Sequence, residues 1–434
     1  MKRNQLWAAV SKSLAVVTVM LIMASILAPG AWAAGKYKLL TQFNGTNGAD
    51  PQDALFVFDA IGNLYGTTPV GGVSGNGTVF ELSPNSDGSW TETVLYSFTG
   101  GSDGLQPYAG VIFDTVGNLY GTTAWGGDYG KGTVFKLTPN SDGAWTESVI
   151  HSFMGHDGHE PIGGVIFDAT GNLYGTTSTG GTSGNGVVYE LTPNSDGTWS
   201  DNTLYSFTVK DGSEPNRISL IFDTAGNLYG EAAMGGKGNC EWIRHGCGTV
   251  FELTPKSGGT WKETVLYRFA GGKDGATPES TLTFDEAGNL YGTTLFGGGG
   301  ACGGNGGKGC GTVFELTPTN GKWTEKVLLR FPAKNGTNSW GRVVFDAAGN
   351  LYGTTNSRGG GSCQNWLGKG CGTVFELVPN SSGGWTEQVL HRFGGAAGGH
   401  PYGEVVLDGQ GNIFGTASGE GTPGSSGAVF EITL

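Results

Sequence analysis

The pentad Gly-Asn-Leu-Tyr-Gly occurs six times, with its Asn at Asn63, Asn118, Asn172, Asn227, Asn289 and Asn350, and a seventh copy reads Gly411-Asn412-Ile413-Phe414-Gly415. Self-similarity at so regular an interval restricts a chain to architectures built from one supersecondary unit used many times. Each unit runs in one order: Val-Ile-Phe-Asp, two variable residues, Gly-Asn-Leu-Tyr-Gly-Thr-Thr, a Gly-rich loop, Gly-Thr-Val-Phe-Glu-Leu-Thr-Pro, a polar turn, then Trp-Thr-Glu-x-Val-Leu-Tyr-Ser-Phe. These are four short runs of β-branched and aromatic residues punctuated by Gly, Asn, Asp and Pro, the pattern of consecutive antiparallel strands. Named A to D in chain order, they predict an all-β, seven-bladed β-propeller of four-stranded blades.

The two ends of the repeat region are complementary. Blade seven stops after its strand C at Ala428-Val429-Phe430-Glu431-Ile432-Thr433-Leu434, and an unpartnered strand of D type, Lys36-Tyr37-Lys38-Leu39-Leu40-Thr41-Gln42-Phe43, stands before blade one. Its last six residues follow Thr93-Val94-Leu95-Tyr96-Ser97-Phe98, so pairing it beside the last strand C completes the seventh sheet and removes two open edges. A solenoid or two separate domains would leave both half-blades unpaired. One domain over residues 34–434 is therefore expected.

Residues 1–33 read as a secretory signal peptide. Lys2, Arg3 and Lys12 precede or open an apolar run from Leu14 to Ala28, and Ala31-Trp32-Ala33 offers a small-residue cleavage site after Ala33. An uncleaved signal anchor is the alternative, since the apolar run is borderline in length for a span. No second apolar segment follows, so no membrane span is expected in the mature chain. The remaining 37 acids against 21 bases make a poor surface for nucleic acid or anionic lipid, and neither is expected as a partner. Disorder is excluded despite 83 Gly, because 22 Phe, 14 Tyr and 12 Trp are spread along the chain.

The turns and cysteines read structurally. Asp59, Asp114, Asp168, Asp223, Asp285, Asp346 and Asp408 each precede the first pentad Gly by three residues, where a carboxylate can bond the backbone of a tight turn. One carboxylate per turn falls well short of a calcium shell. The C-to-D turn Asn85-Ser86-Asp87-Gly88-Ser89-Trp90 resembles the Asp-box of sialidases with a shorter Asp-to-Trp spacing, a resemblance that does not license a sialidase assignment. The six cysteines form local pairs, Cys240 with Cys247, Cys302 with Cys310 and Cys363 with Cys371, in the lengthened B-to-C loops of blades four to six. In an exported chain they read as disulfides across those loops. The short spacing of a zinc knuckle is absent, so no metal and no cofactor is expected.

In a four-stranded meander the B-to-C loops and the D-to-A connections emerge on one face, and nearly all of the variation between repeats is there. Rigid scaffolds commonly carry function on such loops. Six residues before the strand A Asp, near the mouth of the central channel, the blades offer Asp53, Tyr108, Ile162, Arg217, Glu279, Trp340 and Tyr402. Aromatic and charged groups of this kind suit a polar ligand such as a sugar chain. Blade four departs furthest, with Glu231-Ala232 in place of Thr-Thr and a loop carrying Glu241, Trp242, Arg244 and His245; the connection into blade three adds His156, His159 and Glu160. Candidate ligand-binding residues are thus Asp53, Tyr108, Arg217, Trp242, Arg244, Glu279, Trp340 and Tyr402. No nucleophile or phosphate-loop motif occurs; a general acid and base drawn from His159, Glu160, Glu231 and His245 is the catalytic alternative. Arg342 and Glu404, at matching places in neighbouring blades, are expected to form a structural ion pair.

The repeated Asp-x-x-Gly-Asn-Leu-Tyr-Gly-Thr-Thr followed by Gly-Thr-Val-Phe-Glu-Leu resembles the GloVer tandem repeat over essentially the whole mature chain. The resemblance implies an exported bacterial protein. Members often carry a C-terminal sorting anchor, and none is expected here. Three functions fit: a secreted, periplasmic or cell-surface binding module for a polysaccharide or another extracellular protein, a secreted polysaccharide hydrolase or lyase, and a structural envelope component. A monomer is expected.

Overall fold

The computed structural model describes residues 35–434 apart from 53–54, 238–239, 241–244, 300–301, 303–308, 396–397 and 420–423. The expected signal peptide lies outside the described residues, as do Asp53, Glu241, Trp242 and Arg244. In blade one the strands are Val57–Phe58 (A), Leu64–Thr68 (B), Thr78–Pro84 (C) and Trp90–Ser97 (D), hydrogen-bonded in that order. The meander recurs in seven antiparallel sheets that together form a β-propeller. Blade five adds Ala276–Pro278 against Leu290–Phe296, and the B-to-C loop of blade six carries a small hairpin, Gln364–Asn365 with Gly368–Lys369. Helix among the described residues is limited to the single 3-10 turn Ala333–Asn335.

The ring closes as the chain ends predict. Lys36–Gln42 pairs antiparallel with Ala428–Thr433, from Lys36 opposite Thr433 to Gln42 opposite Ala428. Even the irregularity of the other blades is reproduced. In blade one Phe80 faces Val94 and Val79 faces Tyr96, so Leu95 is an extra residue on strand D; at the closure Phe430 faces Leu39 and Val429 faces Thr41, leaving Leu40 extra. Such a bulge increases local twist. Its repetition lets a strand from the other end of the chain match the curvature of its neighbours.

One aromatic pair recurs at every interface between blades, among further contacts such as Tyr65 with Phe113 and Tyr120 with Phe167. Phe98, the residue after strand D of blade one, meets Phe135 of blade two edge to face at 5.1 Å. The same contact joins Phe153 to Tyr189, Phe207 to Phe251, Phe269 to Phe314, Phe331 to Phe375 and Phe393 to Phe430 at 5.0 to 5.2 Å. Phe43, following the N-terminal strand, meets Phe80 at 5.2 Å and completes the circle. Edge-to-face geometry sets the positive ring edge against the negative face.

The pentad also has a packing reason. A Cβ on Gly66 would come within 2.9 Å of the Phe80 ring and 2.7 Å of Phe56, so only glycine lets strand B lie against that phenylalanine. Asp59 accepts hydrogen bonds through Oδ1 from the Ile61 and Asn63 amides, and through Oδ2 from the Asn63 side chain and the Tyr65 hydroxyl at 3.2 Å. The pentad Asn and Tyr are thus tied to the aspartate that precedes them, and Gly62, at φ +90°, occupies the left-handed corner of the turn. Both carboxylate oxygens are consumed within the turn. Thr67 and Thr68 divide the remaining work: Thr67 donates to the Ala109 carbonyl of blade two at 2.8 Å, and Thr68 shares a hydrogen bond with Thr78 on strand C at 2.9 Å.

Candidate functional site

The B-to-C loops and D-to-A connections do lie together on one face, joined by short bridges such as Leu105 to Trp125, His159 to Thr179 and His400 to Ser418. From there each chain segment drops into the centre of the ring. The residues four before the strand A Asp, namely Leu55, Gly110, Gly164, Ser219, Thr281, Arg342 and Glu404, all line one central cavity of about 130 Å³. Arg342 and Glu404 form the expected ion pair inside it, Nε to Oε2 3.0 Å. The two groups are close but not aligned for a hydrogen bond, so their contact is chiefly coulombic.

The mouth above this cavity is spanned by Arg217. Its guanidinium carbon lies 5.3 Å from the centre of the Tyr108 ring and 5.2 Å from that of Trp340, with Nη1 donating to Gln52 Oε1 at 3.3 Å. Residues from blades one, two, four and six therefore meet through one side chain. Arg217 adopts φ +55°, a costly conformation for a residue with a Cβ. A cation between two ring faces is favoured by their quadrupoles. Trp340 is also 5.7 Å from Tyr402 and 6.4 Å from Trp366, both by ring centres. Trp366 is 53 % exposed, whereas Tyr402 and Glu279 are 4 % and 6 % exposed and sit beneath the surface.

Trp366 and Gln52 had no place in the sequence reading. Trp366 sits between the two strands of the blade-six hairpin, and the disulfide Cys363–Cys371 clamps that hairpin at its base, Cα to Cα 4.9 Å. Asn365 fastens it further, donating to Asn356 Oδ1 at 2.7 Å and lying 3.2 Å from His400 Nδ1. A tryptophan inside a disulfide-closed loop is itself a signal that the sequence offers. The other two cysteine pairs also form disulfides, Cys240–Cys247 and Cys302–Cys310, each with Cα atoms 5.5 Å apart.

The four catalytic candidates do not form one group. Glu231 is fully buried, and its Oε2 accepts from the Ser280 amide at 2.8 Å and the Ser280 hydroxyl at 3.3 Å. It stands where Thr67 stands in blade one and likewise bridges to the next blade. Burial, opposed by the Ser280 bonds and reinforced by Glu279, raises its pKa well above the usual carboxylate range. The others lie at the surface of the loop face. Burial lowers the pKa of His159, whose ring packs edge-on against Trp125 at 5.1 Å, while Glu160 opposes that shift and Lys131 adds to it. A carboxylate that the sequence reading omitted, Glu214, links the set: burial and then Glu160 raise its pKa, and His245 lowers it. His159, Glu160, Glu214 and His245 thus share one electrostatic neighbourhood between blades three and four.

The fold and the mouth define a class: a seven-bladed propeller whose loops carry an arginine-aromatic cluster over a closed channel. The chain belongs to the Gloeobacter/Verrucomicrobia repeat family, which it matches over residues 31–244, 111–304 and 243–434. Its three disulfides and this bacterial family point to an extracellular or periplasmic protein, and no helix among the described residues is long and apolar enough to cross a membrane. No curated protein matches it. Among solved structures it is similar to a protein of unknown function from Dyadobacter fermentans DSM 18053, with TM-score 0.46 and 11 % identity over 92 % of this chain and 99 % of that one. It is also similar to a gluconolactonase from Xanthomonas campestris, with TM-score 0.41 and 12 % identity over 92 % of this chain and 89 % of that one.

Proposed function

We propose that this protein is an exported binding propeller that holds a carbohydrate chain at the mouth of its channel. The observation that carries the reading is the arginine-aromatic cluster, in which Arg217 lies between Tyr108 and Trp340 and the exposed ring of Trp366 extends the aromatic surface outward. Sugar rings present an apolar face that stacks on aromatic rings and hydroxyls that bond a fixed guanidinium. Arg217 is held by two rings and Gln52, so little side-chain entropy remains to be lost when a ligand arrives.

The test is retention of the purified protein on a panel of insoluble and immobilised polysaccharides, with released products measured in the same samples. Trp366→Ala removes an exposed ring and is expected to leave thermal stability unchanged while weakening retention about 10-fold or more, the scale of an anchoring aromatic. Unchanged retention in both Trp366→Ala and Arg217→Ala would exclude the mouth as the binding site. A hydrolase or lyase is the second reading, favoured by the coupling of Glu214 to Glu160 and His245. Products that disappear in a Glu214→Gln, His245→Ala variant would establish it, and product release unaffected by that variant would remove it.

A further inference from the structure

The outer edge of the ring repeats a small polar motif. The tyrosine two residues before the last Phe of a strand D segment donates its hydroxyl to an aspartate in the connection that follows: Tyr96 to Asp103 at 3.1 Å, Tyr205 to Asp211 at 2.8 Å and Tyr267 to Asp274 at 3.2 Å. A glutamate on strand D of the next blade completes each set. Glu147, Glu263 and Glu325 lie close enough that these aspartates add to the effect of burial in raising their pKa values.

Between blades two and three the same three positions carry different chemistry. His151 stands in place of the tyrosine and Asp201 in place of the glutamate, while Asp157 keeps the aspartate. His151 Nε2 lies 3.0 Å from Asp157 Oδ2. One ligand atom from each of His151, Asp157 and Asp201 falls within 4.8 Å of the other two. Asp157 is oriented by its own backbone, since Oδ1 accepts from the Met154 and Gly155 amides at 2.8 and 3.0 Å, leaving Oδ2 for the histidine. The side chains of His151 and Asp157 are 12 % and 4 % exposed, whereas Asp201 is exposed at the surface. His151 and Asp201 also line a surface groove of about 590 Å³, which gives solvent a path to the group.

We propose that His151, Asp157 and Asp201 bind a divalent transition-metal ion, zinc or manganese, on the outer wall between blades two and three. One imidazole nitrogen with two carboxylate oxygens is a donor set for such ions, whereas calcium and magnesium favour oxygen alone. Both replacements act in the same direction. Tyrosine to histidine exchanges a hydroxyl donor for a nitrogen lone pair, and glutamate to aspartate retains an anionic oxygen on a shorter arm. A hydrogen bond to Asp157 would need neither replacement, since tyrosine already makes that bond at three other interfaces. Three protein ligands leave positions for water from the groove, and the ion offsets two closely placed negative charges.

The experiment is calorimetric titration of the purified, chelator-treated protein with Zn²⁺ and, separately, Mn²⁺, in the absence of thiol reductants so that the cysteines remain paired. One ion per chain is expected. The control is His151→Tyr, Asp201→Glu, which rebuilds the motif that neighbouring interfaces already use and so preserves packing. It is expected to keep the melting temperature of the metal-free protein and to lose more than about 100-fold in affinity, beyond the range seen when only supporting residues around a metal are changed. Absence of binding by either ion, or equal binding by this variant, would overturn the proposal.

Discussion

Glu263 and Glu325 make stability depend on pH. Burial first, and then Asp211 and Asp274 respectively, raise each carboxyl from its ordinary 4.5 to about 7. Between those values the folded chain keeps protons that the unfolded chain has released, so stability is greatest below the lower value and falls as pH rises through about 7. The melting temperature should therefore fall from pH 5 to pH 7.5, and Glu263→Gln with Glu325→Gln should flatten that dependence. An unchanged slope in the double variant would exclude these two groups as its source. Single residues are where the sequence says least about orientation. Glu231 departs from its repeat and has the chemistry of a catalytic acid, yet the chain uses it to bridge two blades through Ser280. Substitution within a repeat shows that an environment has changed, without showing which way the side chain turns. His151 and Asp201 were legible in principle, because aligning the blades sets them against tyrosine and glutamate. Trp366 has no counterpart to align with, and only its disulfide-closed loop marks it.

At the scale of elements, the blade-six hairpin and the N-terminal strand make separate predictions. The bridge Cys363–Cys371 spans a separation of 8 residues, so breaking it removes about 2–3 kcal/mol in the loop-entropy view. Cys363→Ser with Cys371→Ser should release the hairpin and lower carbohydrate retention nearly as far as Trp366→Ala does, read in the same retention assay. The strand Lys36–Gln42 acts through the residue that follows it. Phe43 is 2 % exposed and supplies one of the ring of inter-blade aromatic pairs, so Phe43→Ala should cost about 3–5 kcal/mol, measured by denaturant unfolding. A smaller effect than that of the surface change Leu39→Ala would mean that the clasp does not support the ring. Elements of this kind were readable because the repeat supplied seven copies of each strand pattern, and the unmatched half-blades specified their own pairing. Even the closing register follows from aligning Leu40 with Leu95. The added strand Ala276–Pro278 had no such guide, since it pairs with an extension of strand B found in blade five.

For the molecule as a whole, repetition produces a wheel of seven like blades and leaves individuality to the hub and to the polar groups of the outer seams. The cavity of about 130 Å³, crossed by the Arg342–Glu404 pair and capped by Arg217, is too small for a polymer to thread. A carbohydrate chain would therefore lie across the face, and binding should depend on the inner repeat units of the chain more than on its ends. Reducing-end modification of an oligosaccharide ligand should leave affinity within about twofold, whereas an exo-acting site would be sensitive to it. The clasp has another consequence, in time. Of the strands in the ring, Lys36–Gln42 is made before the others and Ala428–Thr433 after them, so the earliest strand must wait, unpaired, for its partner. A polypeptide cut short by faulty translation has nothing to latch onto and keeps an open sheet edge at each end, the state that proteases and chaperones recognise. Closure thus tests whether all seven blades have been made.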